Sequence, residues 1–117
     1  MKDSRSDAAI QFFPGKDEKV IPEIRLTRSK DGKTGQALFT FKEPDALLDE
    51  KFKEIKGMFL IDTEGELTTR DVNIRKSNGK YSAIEAKYSW KSDIDFNRFM
   101  RFANRYAEAY GLGYSES

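Results

Sequence analysis

Apolar and polar positions alternate with a period of two through most of the chain and change to a period near 3.6 only after Ser92. Ala8 to Phe13 reads as a first strand, closed by Pro14-Gly15, because Pro fixes φ and Gly accepts φ values that other residues avoid. Val20 to Arg28 places Val20, Ile24 and Leu26 on one face and Glu23, Arg25 and Thr27 on the other, the pattern of a half-buried strand. Pro22 cannot donate to a ladder, which puts the start of that strand at a sheet edge. A turn-rich loop from Ser29 to Gly35 leads into Gln36 to Phe41, where Ala37, Phe39 and Phe41 oppose Leu38 and Thr40, so the two strands form a hairpin.

Glu43-Pro44-Asp45 stops the alternation, and Pro44 suits the first position of a short helix through Ala46, Leu47 and Leu48. Gly57 to Asp62 and Leu67 to Ile74 are expected to be strands joined through Thr63-Glu64-Gly65-Glu66. Asn78-Gly79 then links to a strand from Tyr81 to Trp90, since a type I′ turn needs φ > 0 at both central residues. From Ser92 onward, Phe96, Phe99, Met100, Ala103, Tyr106, Ala107 and Tyr110 share one helical face, opposite Asn97, Arg98, Arg101, Asn104, Arg105 and Glu108. Ser92 is placed to cap this helix, with Asp93 and Asp95 complementing its dipole, and Gly111 is placed to end it before Leu112-Gly113-Tyr114. The fold class expected is α+β: an antiparallel β-sheet meander packed with a long C-terminal helix and a short helix.

At 117 residues with 38% apolar content, the chain is expected to bury one core without staples. No apolar run approaches the roughly 20 residues that span a bilayer. The charged start, Met1 to Asp7, has no apolar segment behind it, so no secretory signal is expected. There is no Cys and no His, which removes disulfides, thiol nucleophiles, ordinary zinc sites and imidazole acid-base chemistry. The net charge of +1 hides a segregation. Residues 43–66 hold eight acids against three lysines, and residues 70–105 hold nine bases against four acids. Two such blocks can steer a partner or orient the domain at an anionic membrane; the plainer alternative is a solubilised surface.

Gly32-Lys33-Thr34 resembles the end of a phosphate-binding loop, but Thr27 stands where the first glycine belongs and a strand follows, so a hairpin turn is expected. Asp62, Glu64 and Glu66 carry oxygen ligands around a turn that lacks the length of a calcium loop, and read as an acidic, solvated hairpin end. No metal or cofactor is expected. The strand aromatics Phe39, Phe41, Phe59, Tyr81, Tyr88 and Trp90 invite comparison with a sheet that stacks RNA bases, although the aromatic-rich RNA motif is absent and core packing accounts for them better. Arg98, Arg101 and Arg105 recur at i, i+3 and i+7, setting three guanidinium forks along one exposed helix face. They are the candidate partner-binding residues, with a merely solvated face as the alternative. Replacing all three with Glu is expected to spare the fold and weaken binding.

Four stretches carry a resemblance. They are Ile21 to Ser29 with Asp31-Gly32, Gly57 to Asp62 with Glu64-Gly65-Glu66, Asn78-Gly79-Lys80 with Ala83 to Ala86, and Arg98 to Phe102 with Arg105-Tyr106-Ala107 and Gly111-Leu112-Gly113. In that order they resemble the thirteen-kilodalton (W-like) photosystem II assembly-factor family. The match runs from about Ile10 to Ser115, which implies a single domain over 10–115 behind a flexible tail over 1–9. Asp95-Phe96-Asn97 and Ala103-Asn104 depart from the family pattern on the last helix. The resemblance implies a non-enzymatic protein, without cofactor, that attaches transiently to immature reaction-centre complexes. Its implied place is peripheral on the thylakoid membrane, on the cytosolic or stromal side. The implied partners are photosystem II reaction-centre and inner antenna proteins, met partly by adding a strand to the sheet, and no nucleic acid is expected. The alternative from another class is a single-stranded RNA-binding β-sheet module.

Overall fold

The computed structural model describes residues 7–111. Among them, the chain runs through β1 (Ala8–Phe13), β2 (Lys16–Asp17), β3 (Glu23–Arg28), β4 (Gly35–Lys42), β5 (Met58–Asp62), β6 (Gly65–Thr69), β7 (Val72–Ser77), β8 (Lys80–Trp90) and α1 (Asp93–Ala109). Two 3-10 turns, Asp45–Leu48 and Phe52–Glu54, lie between β4 and β5. The class is α+β, as the pattern implied. Residues 1–6 of the expected tail, and the departure from the helix at Leu112-Gly113-Tyr114, lie outside the described residues, while Ala8 and Ala9 belong to β1.

The strands form two antiparallel four-stranded sheets, ordered β2-β1-β5-β6 and β3-β4-β8-β7, where one meander was expected. The segment Leu67 to Ile74 is two strands, each the edge of a different sheet. The break at Arg70-Asp71 is held by specific bonds. The Thr69 hydroxyl donates to the Lys87 carbonyl at 2.6 Å and accepts the Asp71 N–H at 3.1 Å, while the Lys87 N–H donates to the Asp71 carbonyl at 2.9 Å. The chain thereby steps past β8 from one sheet to the other with these backbone groups bonded at the crossing.

Alternation decides what each sheet buries. Ile10 and Phe12 of β1, Met58 and Leu60 of β5, Phe39 and Phe41 of β4, and Ile84 and Trp90 of β8 all face one core, closed by Phe99, Phe102 and Tyr106 of α1. Aromatic rings tile it: Phe39 meets Phe99 edge-on at 6.1 Å, and Trp90 stacks on Phe99 at 5.6 Å. Gly35, opposite Trp90 across β4 and β8, makes room for that ring. A Cβ there would stand 2.5 Å from the Thr27 carbonyl oxygen and 2.6 Å from the indole.

Several local expectations are met and others corrected. Asn78 and Gly79 have φ of 54° and 77°, as the β7–β8 hairpin requires, and Gly111 takes φ 67° just past the helix. Ser92 caps α1 by accepting the Asp95 N–H at 3.1 Å. Strand β3 begins only after Pro22 and is an edge strand, as that proline implied; on its expected half-buried face Val20 and Ile24 are partly buried, Ile24 against the core, while Leu26 is 40% exposed. The short helix is a 3-10 turn, and Pro44 precedes it in extended backbone at ψ 157°. Strand β2 has too few residues to show a period.

Candidate functional site

Asp62 is the residue around which the most unusual chemistry of the fold gathers. Met58, Leu60 and Asp62 share one face of β5 because side chains alternate along a strand, so the last of them points beneath α1 with the core residues. Its side chain has no exposed area. A carboxylate there is costly unless paired, and α1 supplies the partners.

Arg98 grips Asp62 through two bonds, Nη1 to Oδ2 at 2.9 Å and Nη2 to Oδ1 at 2.7 Å. Arg105, two turns further along α1, places Nη1 2.9 Å from Asp62 Oδ2 and 2.6 Å from Glu64 Oε2. Arg101 takes Glu64 as a fork, Nε to Oε2 at 2.7 Å and Nη2 to Oε1 at 2.9 Å. The Glu64 N–H donates to Asp62 Oδ1 at 2.9 Å, which ties the β5–β6 turn into the cluster. The acidic and basic sequence blocks thus meet inside the molecule. The hairpin end itself, residues 63–66, is exposed as expected, but Asp62 is not solvated, and both Asp62 and Glu64 are bonded to arginines, while Glu66 accepts from the Thr68 hydroxyl.

The arginine row exists with the expected spacing, but it is not a freely solvated stripe. The side chains of Arg98 and Arg101 are 17% and 50% exposed, and Arg105 lies between. The helix is rotated relative to the expected face, so that Phe102, which the apolar face did not include, is fully buried and Arg98 is drawn to the boundary. Replacing all three arginines with Glu would bring five carboxyl groups together between α1 and the β5–β6 turn, so that change is expected to destabilise the fold as well as to weaken binding.

Electrostatics follow from this geometry. Burial pushes the Asp62 carboxyl up, but the Arg98 fork, the Glu64 N–H and Arg105 outweigh it and hold the group below the usual carboxylate range. Glu64 is lowered to about 2, first by its bond to Arg101 and then by Arg105. Because both folded values lie below the unfolded ones near about 4, their stabilisation is complete above about pH 5 and fades as pH falls toward about 2. The urea midpoint is therefore expected to be flat between about pH 7 and 5 and to fall below that, with a shallower fall in Asp62→Asn. An equally steep acid fall in that variant would place the acid sensitivity elsewhere.

Glu18 is a second committed acid that no periodicity announced. It is 3% exposed and accepts N–H bonds from Val20 at 3.0 Å, Asp45 at 2.8 Å and Ala46 at 2.9 Å. It caps the 3-10 turn in place of Pro44, which offers no side-chain bond. A cleft of about 300 Å³ opens beside it between Phe12, Phe13, Lys16 and Ala46. A shallower groove of about 540 Å³ runs past Arg28, Gly35, Trp90 and Lys91.

The remaining sequence features settle simply. Gly32-Lys33-Thr34 lies in the β3–β4 turn, where Asp31 accepts the Lys33 N–H at 2.9 Å. Phe39 and Phe41 have no exposed area and Trp90 is buried, so these rings cannot stack on bases. No group of acids placed to hold a metal ion occurs among the described residues.

Comparison with known proteins gives one consistent result. A family model described as Psb28 protein matches residues 10–114. A Prochlorococcus marinus (strain MIT 9211) protein is 62% identical over 115 residues, covering 98% of both chains. Proteins of Synechococcus sp. strains WH7803 and CC9605 are 62% and 61% identical, covering 94% and 96% of this chain and 85% and 88% of their own. All three relatives bear the name Photosystem II reaction center Psb28 protein.

Proposed function

Because the chain belongs to the Psb28 protein family, we propose that it is a non-catalytic photosystem II assembly factor that binds transiently to immature reaction-centre complexes. The name shared by relatives as similar as 62% over nearly the whole chain is the observation that carries the reading. Its place is peripheral, on the cytosolic or stromal side of the thylakoid membrane; no helix among the described residues is long and apolar enough to cross a membrane. Its partners are photosystem II reaction-centre and inner antenna proteins. Glu18, Asp62 and Glu64 are bonded to backbone N–H groups or to arginines, which fits a structural use of these carboxylates.

The docking elements are β3 and the arginine row. Ser29 donates its N–H to the Thr34 carbonyl at 2.9 Å. Antiparallel alternation then turns the N–H groups of Arg25 and Thr27 toward β4 and those of Ile24 and Leu26 outward. An extended partner segment pairs with those outward groups as an added strand. Within the row, Arg98 and Arg105 fix α1 on the β5–β6 hairpin, and Arg101, the most exposed of the three, meets the partner.

The test is capture from detergent-solubilised thylakoid membranes with the tagged chain, followed by mass spectrometry. Photosystem II core subunits lacking the mature oxygen-evolving components are the expected catch, and recovery of RNA-associated proteins instead would overturn the reading. Leu26→Pro removes one outward N–H without cutting a β3–β4 bond, and is expected to reduce capture about five- to thirtyfold, as loss of about 1–2 kcal/mol implies. Undiminished capture by that folded variant would exclude β3 as the pairing edge.

A further inference from the structure

Resting on the reading that this protein works at a membrane, we infer that the tip of the β7–β8 hairpin, with the 3-10 turn Phe52–Glu54, is a docking surface for anionic lipid headgroups. Once Asp62 and Glu64 are matched by the arginine row, the basic excess lies here. Residues 51–56 and 75–80 together hold six bases, Lys51, Lys53, Lys56, Arg75, Lys76 and Lys80, against one acid, Glu54. Arg75 is paired with Glu85 at 3.1 Å, but Lys53, Lys76 and Lys80 have no ion-pair partner among the described residues.

Aromatic rings order these lysines. Phe52 meets Tyr81 edge-on, with centroids 5.0 Å apart. Lys76 Nζ stands 4.8 Å from the Tyr81 centroid, and Lys53 Nζ stands 5.5 Å from it and 5.9 Å from Phe52. Lys80 pairs with Ser77 across the turn, one residue from Tyr81. Lysine ammonium groups held over half-buried rings at an exposed tip form an edge of mixed cationic and aromatic character, of the kind that settles at a headgroup layer. The shape selects the occupant. The tip is a protruding tight turn, and none of these residues lines either cleft, so it suits a diffuse planar anion array better than a peptide that needs a groove. The rings lie edge to face under the lysine amines, which leaves no platform for stacking bases.

The test uses the purified full chain with phosphatidylcholine vesicles, with and without phosphatidylglycerol. Binding is expected only with phosphatidylglycerol, and to weaken with salt. Replacing Lys53, Lys76 and Lys80 with Gln is expected to cut it about a hundredfold, at about fivefold per lysine. The same change at the exposed Lys19, Lys30 and Lys33 removes equal charge and is expected to leave most of the binding. Equal loss in both variants, equal binding to both vesicle types, no binding, or preference for a single-stranded oligonucleotide or an acidic peptide overturns the inference. Circular dichroism of each variant excludes misfolding as the cause. Capture of photosystem II cores, scored separately in detergent, distinguishes the two ideas: a chain that captures cores but ignores vesicles rejects the lipid surface alone. A chain that binds vesicles but captures no cores rejects the assembly-factor reading alone.

Discussion

Asp62→Ala is expected to lower the unfolding free energy by about 2–3 kcal/mol, measured by urea denaturation, because it removes both acceptors of the Arg98 fork and leaves that guanidinium only the more distant Glu64, at 3.7 Å. The loss exceeds that of an ordinary surface ion pair, worth at most about 1 kcal/mol, because Arg98 is only 17% exposed and water replaces the lost carboxylate poorly. Arg101→Ala, removing the half-exposed member, is expected to cost much less than Asp62→Ala. The double change Asp62→Leu with Arg98→Met removes both partners and is expected to recover part of the Asp62→Ala loss. If Asp62→Ala matched Arg101→Ala, the pairing under the helix would be no stronger than a surface contact.

Glu18→Ala is expected to cost about 2–4 kcal/mol by the same assay. The substitution strips the acceptor from three backbone N–H groups at once, of which that of Ala46 is buried, and each orphaned donor carries a desolvation penalty of about 1–3 kcal/mol where water cannot reach it. Because the carboxyl joins the loop after β2 to the 3-10 turn Asp45–Leu48, amide hydrogen exchange at Val20, Asp45 and Ala46 is expected to quicken before that of β4 or β8. Glu18→Gln keeps an oxygen acceptor and is expected to lose about half as much. Equal stability of Glu18→Ala and the parent chain would mean that the turn caps itself.

Much of the local structure was legible because its causes are local. The Asn78-Gly79 turn, the Ser92 cap, the Gly111 stop, the edge position of β3 behind Pro22 and the buried set Ala37, Phe39 and Phe41 each follow from one residue's backbone preference or from a period of two. One error also had a local signal. Leu67 and Val72 are an odd number of positions apart, so no single strand turns both to the same face, and that phase change marks the break at Arg70-Asp71.

What the sequence determined by itself, then, is the kind of elements and the face each presents, together with a resemblance that supplied the family. Only the tertiary structure decided which edges belong to which sheet, that α1 turns far enough to bury Phe102, and that Arg98, Arg101 and Arg105 are matched by Asp62 and Glu64. The physical reason is reach. Backbone preference and alternation act over a few residues, whereas a buried charge is satisfied by whatever side chain the fold brings near, here 36 residues further along the chain for Asp62 and Arg98. The same separation hid Glu18, whose role depends on a turn 28 residues away.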